Sequence, residues 1–281
     1  MPIHIPEEEA VLDQSPIELG VQSVPSTPDP NWRNDPIRIK RNLIACQPND
    51  IRSDCFEEIQ DECRPWMRNE VAQWLLEVAE LEECCGSVFP GAVQLLDRYL
   101  SKVSLMPCQL QVTAITCLLI ISKVYDVNPI QVRKCVAATA HTTTASEIRE
   151  LEISILCQFG WNVSCTSRID ILSPLMTLMR FNQERTAQIT NRARFVIDIS
   201  CLEQELNKFS PAIVTAACIC FSLRGIRLRA RRQDDLVRLV SLRLGFPRRD
   251  VHEAHQALQN SISRWRQNEH STPNQVSDVW F

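Results

Sequence analysis

Glycine is what this sequence has least to spare: 6 residues in 281. So few leave little material for the tight hairpins of a β-rich fold, and the dominant hydrophobic period is helical, so an all-α architecture is expected. No charge-free apolar stretch reaches about 20 residues, and the opening MPIHIPEEEA lacks the basic, apolar character of a leader. The expectation is a soluble, intracellular chain without a membrane partner. The 13 cysteines include the adjacent Cys84-Cys85 and the near pair Cys218 and Cys220, but no Cys-x-x-Cys. Zinc modules need two close pairs converging on one ion, so no metal is expected and reduced thiols packed as small hydrophobes fit better. There is also no Gly-rich phosphate loop, no Gly-x-Ser-x-Gly elbow and no His-Glu-x-x-His. His252 and His255 fall three apart on an expected helix with no carboxylate or cysteine cluster beside them, and read as part of an ordinary surface helix. No cofactor and no catalysis are expected.

What is present is unevenly charged. The net charge of −4 divides into −7 over residues 1–64, −3 over 65–165 and +6 over 166–281. The densest basic cluster, Arg224, Arg227, Arg229, Arg231 and Arg232, has no interleaved aromatic residues to stack on bases, and reads as a solvated loop between helices. Residues 1–50 carry prolines at 2, 6, 16, 25, 28, 30, 36 and 48 among acidic and polar residues, the composition of a disordered arm. Residues 267–281 return to the same polar character and read as a regulatory tail.

Between the arms the pattern is helical. Leu110–Val124, LQVTAITCLLIISKV, is apolar on every side, so other helices must surround it. Around it we expect a short helix from Asp54 to about Glu62 and helices at 66–83, Val88–Ser101 and Ile130–Ala138. Another opens at the capping box Thr144-Ala145-Ser146-Glu147. On the 66–83 helix, Met67, Val71, Trp74 and Val78 form one stripe and Ala72, Leu75, Leu76 and Ala79 another. After Thr166 the scheme restarts, with helices at 168–180, 184–206, 210–224, 233–244 and 248–265. Ser210-Pro211 stands as N-cap and first residue of a second small-residue apolar helix, AIVTAACICFSL. The expected division is 51–165 and 166–266, a duplicated five-helix unit.

The run from Met67 to Val78, MRNEVAQWLLEV, resembles the first helix of a cyclin box, which the family writes Met-Arg-x-Ile-Leu/Val followed by a tryptophan. VFPGAVQLLDRYLS is similar to the second helix, LQVTAITCLLIISK to the third and ELEISILCQFGWNV to the fifth. With the tail Ser271-Thr272-Pro273 and Asp278-Val279, the chain resembles D-type cyclins over residues 52–281.

The resemblance implies two stacked cyclin boxes that bind and activate a cyclin-dependent kinase of the G1 type, promoting the G1/S transition, in nucleus and cytoplasm. It implies that Lys123, ending the third helix, and Glu152, in the fifth, hold the kinase's mobile helix. It further implies a docking groove for substrates or inhibitors carrying Arg-x-Leu, at Met67, Val71, Trp74, Glu77 and Gln111, and a regulatory phosphorylation site at Thr272. Glu70 replaces the family's usual isoleucine, and Pro107 stands where a basic residue is frequent. Leu43-Ile44-Ala45-Cys46-Gln47 lacks the acid of the Leu-x-Cys-x-Glu segment that contacts pocket proteins. A competing reading is a transcription-factor type of cyclin fold that binds a promoter complex through the arginines after Leu223. Our reading assigns no direct nucleic-acid contact.

Overall fold

Prolines and caps set where the helices begin. In the computed structural model, which describes residues 51–163, 166–224 and 233–269, Pro65, Pro107 and Pro211 each fall in a first helical turn, where a missing N–H costs no intrahelical bond. Thr144 Oγ1 accepts from the Glu147 N–H at 3.2 Å, and Glu147 Oε2 accepts from the Thr144 N–H at 2.7 Å, the reciprocal cap its sequence foretold. Ser210 Oγ accepts from the Ile213 N–H at 3.4 Å.

The elements run α1 (Cys55–Glu58), α2 (Pro65–Leu81), α3 (Val88–Leu100), α4 (Pro107–Tyr125), α5 (Val132–Ala138), α6 (Ala145–Gln158), α7 (Arg168–Met179), α8 (Gln183–Leu202), a 3-10 turn (Gln204–Lys208), α9 (Pro211–Leu223), α10 (Gln233–Leu244) and α11 (Arg248–Glu269). No strand occurs among the described residues. Helix α4 packs against α2, α3, α5 and α6, and α9 packs against α7, α8, α10 and α11. Each apolar helix is therefore the centre of a five-helix bundle. By length and composition α4 could cross a membrane, yet every residue from Thr113 to Ser122 is buried by its neighbours. A single apolar cluster runs through both bundles, and α8 joins them by packing on α2 and α3.

Three sequence expectations change. The most completely enclosed helix is α3, with all thirteen residues buried, Gln94, Asp97 and Arg98 included. The expected helix at 184–206 stops at Leu202, because Glu203 is extended (φ −107°, ψ 111°). That kink lets the Gln204 N–H donate to Asn69 Oδ1 at 3.0 Å and sinks Leu206 into the core. His255 is not on a surface. It is 1% exposed, its Nδ1 lies 3.3 Å from the Ala217 carbonyl oxygen, and burial pushes its pKa down to about 4. The arms 1–50 and 270–281, and with them Leu43–Gln47 and Thr272, lie outside the described residues, as do Arg227, Arg229, Arg231 and Arg232.

Candidate functional site

Lys123 stands in the last turn of α4, where the helix leaves the core. Two contacts fix that end. Ser122 Oγ donates to the Leu119 carbonyl at 2.8 Å and accepts from the Ile130 N–H at 3.2 Å, drawing the following loop back onto the helix. Asp126 Oδ1 accepts from the Cys85 N–H at 3.1 Å, tying the same end to the segment between α2 and α3. Glu152 is positioned by α6, whose start the capping box defines. It lies four residues after Ile148 and three before Ile155, both fully buried, so its carboxylate shares their helical face and sits at the rim of the core.

The structure brings these two candidates together. Lys123 Nζ donates to Glu152 Oε1 at 2.5 Å, with the lysine side chain 44% exposed and the glutamate 15%. Their sequence neighbours Val124 and Ile153 are more than half exposed, as are Val127 in the loop after α4 and Trp161 after α6. Trp161 follows Gly160, and both take left-handed backbone (φ 65° and 53°), which turns the chain sharply at the end of α6. A second cation bridge, Lys134 of α5 to Glu82 after α2, lies in the same bundle. The result is a charge pair whose sequence neighbours Val124 and Ile153 stay exposed among the described residues. Such a surface has the composition of a protein contact.

The docking candidates lie on a neighbouring face. Helix α2 turns Ala72, Leu75, Val78 and Ala79 into the core, whereas Met67, Val71 and Trp74 are half-buried and touch its edge. Gln111 on α4 is also half-buried, and Glu77 and Glu70 are exposed. Helix α2 packs on α4, so the stripe and Gln111 belong to one packed pair. Burial and the nearby Glu77 raise the pKa of Glu80, at the end of this face. The two stripes do not divide cleanly into core and surface: Val78 of the first is buried, and Leu76 of the second is half-buried.

Comparison with known proteins shows what the chain resembles. Residues 38–164 match the model of the cyclin N-terminal domain. The G1/S-specific cyclin-D3 of Bos taurus is 26% identical over 76% of this chain and 73% of its own length, and the cyclin-D2 of Rattus norvegicus is 26% identical over 90% of each. The first bundle thus carries a match to the cyclin N-terminal domain, and the chain as a whole is similar to D-type cyclins. Its fold is that of the viral cyclin from herpesvirus saimiri, with a TM-score of 0.67 and 22% identity over 81% of this chain and 96% of the viral one. Cyclins are regulatory subunits, not enzymes, and its curated relatives are D-type cyclins.

Sequence reasoning missed the polar centre of this protein. Arg68, 1% exposed, donates through Nε and Nη2 to the two carboxylate oxygens of Asp97 at 2.8 and 2.6 Å, and through Nη1 to the Cys201 carbonyl at 2.7 Å. Asn207 Nδ2 donates to the same Asp97 at 2.9 Å, while its Oδ1 accepts from Arg168 Nη2 at 2.8 Å. A signal was available. Arg68 falls in register with Ala72, Leu75 and Ala79 on the buried stripe of α2, and a charge in that register needs a buried partner.

Proposed function

We propose that this protein is the regulatory subunit of a G1-type cyclin-dependent kinase and promotes the G1/S transition. The observation that carries the reading is the Lys123–Glu152 pair with the exposed Val124 and Ile153 next to it in sequence. A carboxylate and an ammonium already held together present a fixed donor and acceptor to an incoming helix, and the exposed Val124, Ile153 and Trp161 supply area that association removes from water. The names of its relatives support the G1/S assignment, and two five-helix bundles support a division into boxes at 51–165 and 166–266. Alongside the kinase contact, Met67, Val71, Trp74, Glu77 and Gln111 form the docking groove for Arg-x-Leu segments, with the exposed Glu70 favouring basic neighbours of that segment. Phosphorylation of Thr272 controls turnover and exchange between nucleus and cytoplasm.

Co-purification with a panel of cyclin-dependent kinases, followed by a phosphorylation assay, tests the reading. Lys123→Glu and Glu152→Lys each put like charges against the partner and are expected to abolish co-purification while the chain stays folded by circular dichroism. Kinase binding that survives both reversals overturns the assignment. Met67→Ala with Gln111→Ala is expected to lower phosphorylation of an Arg-x-Leu substrate and leave kinase binding intact. Thr272→Ala is expected to lengthen half-life in a cycloheximide chase.

A further inference from the structure

A cavity of about 410 Å³ lies where the two bundles meet, away from the Lys123–Glu152 pair. Pro90, Val93, Phe209 and Pro211 give it apolar walls, and Arg68, Gln94, Asp97 and Arg168 border it with polar groups. Its charges do not balance. Arg68 is neutralised by Asp97. Arg168, 9% exposed, donates only to neutral oxygens: the Ser200 carbonyl at 2.5 Å, the Ser200 hydroxyl at 3.1 Å and Asn207 Oδ1 at 2.8 Å. No carboxylate pairs with it among the described residues. A guanidinium has five N–H donors, so these three bonds leave the Nε–H and one Nη2–H to spare.

Gln94 is unbalanced in the opposite sense. It is 8% exposed, its Nε2 donates to the Thr166 carbonyl at 3.1 Å, and its buried Oε1 accepts nothing. The wall thus offers a cation lacking its anion and an acceptor lacking its donor, beside an apolar surface. A buried guanidinium is disfavoured until an anion meets it, and two parallel N–H···O bonds to a carboxylate suit the planar fork. A dianion fits poorly, because the Asp97 carboxylate also borders the space. The volume lies in the range of sites that enclose small organic molecules.

We infer that this cavity binds a monocarboxylate that carries an adjacent N–H or O–H group and an apolar body. The carboxylate meets Arg168, the donor meets Gln94 Oε1, and the body lies against Val93, Phe209 and Pro211. An N-acylated amino acid and the carboxyl end of a peptide share this chemistry.

Isothermal titration of the full chain with N-acetylphenylalanine tests it. Saturable binding is expected, with N-acetylphenylalaninamide, which lacks the carboxylate, at least about tenfold weaker. Gln94→Leu and Arg168→Gln are each expected to weaken the acid by about fivefold or more. Should Arg168→Gln fail to fold, Gln94→Leu and the amide comparison still decide. Absence of saturable binding overturns the inference, as does equal affinity for acid and amide, or inorganic phosphate binding as tightly as the acid. Displacement by a hexapeptide ending in phenylalanine supports a protein chain end as the natural source. Retained acid binding without such displacement supports a small metabolite.

Discussion

In the first bundle, α2–α6, seven large hydrophobic side chains stand exposed, whereas in the second, α7–α11, Leu242 is the single one among the described residues. The interiors differ much less. Each bundle wraps four helices around an apolar fifth that opens with proline, with α4 buried from Thr113 to Ser122 and α9 from Val214 to Cys220. The same helical packing therefore does not require an exposed apolar rim. The exposed side chains of the first bundle are a property of its surface, and Val124 and Ile153 adjoin Lys123 and Glu152 in sequence. The second bundle puts its unusual groups inside: His255, Cys218 and Cys220 in the core, and Asp198 half-buried on α8.

The strongest way to break this comparison is at the polar centre the bundles share. Asp97→Leu leaves Arg68 buried without its carboxylate and is expected to cost about 3–5 kcal/mol in urea denaturation. Because Arg68 also donates to the Cys201 carbonyl on α8, both bundles are expected to lose stability in one transition. Two separate transitions would show that the bundles melt independently. Next in size come the two centres. Leu118→Ala in α4 and Ile219→Ala in α9 remove fully buried side chains, and each is expected to cost about 2–5 kcal/mol. A negligible cost at either one would end their equivalence.

A smaller effect distinguishes the second bundle by pH. Burial, then the neighbouring Glu80, raises the Asp198 pKa from 3.8 to about 8, with Arg194 opposing. Between those values the folded chain holds a proton that the unfolded chain has released, so stability is greatest at the acid end of this window and falls as pH rises toward 8. Asp198→Asn is expected to remove that slope and to raise Tm at pH 8, by about 2–4 °C for each kcal/mol recovered. An unchanged slope of Tm against pH between 5 and 8 would assign the titration elsewhere. Smallest in stability is the pair of the first bundle. With Lys123 side chain 44% exposed, Lys123→Glu is expected to change unfolding free energy by no more than about 1 kcal/mol, while removing kinase co-purification. That contrast separates a surface kept for a partner from one kept for folding.

How much of this was legible depends on which physical signal each feature leaves in sequence. The central helices were legible because Leu110–Val124 and Ala212–Leu223 are apolar all round, and the cap at Thr144–Glu147 because its residue types are specific to that geometry. Lys123 and Glu152 were found through family resemblance, and their contact could not be read from spacing, since 29 residues and a whole helix separate them. The end of α8 was illegible because nothing local forbids a helix through Glu203; the break is made by Asn69, 135 residues earlier. His255 was misplaced for a similar reason, since the buried carbonyl that receives it belongs to α9.

The bond from Arg68 to Cys201 closes a loop of 133 residues, which has a consequence during synthesis. At about 5–20 residues per second, Arg68 emerges roughly 7–27 s before the carbonyl it needs. During that interval the nascent first bundle holds the Arg68–Asp97 pair at an unfinished edge, open to water. Completion of the hydrogen bonding in the amino-terminal half thus waits on the carboxyl-terminal half.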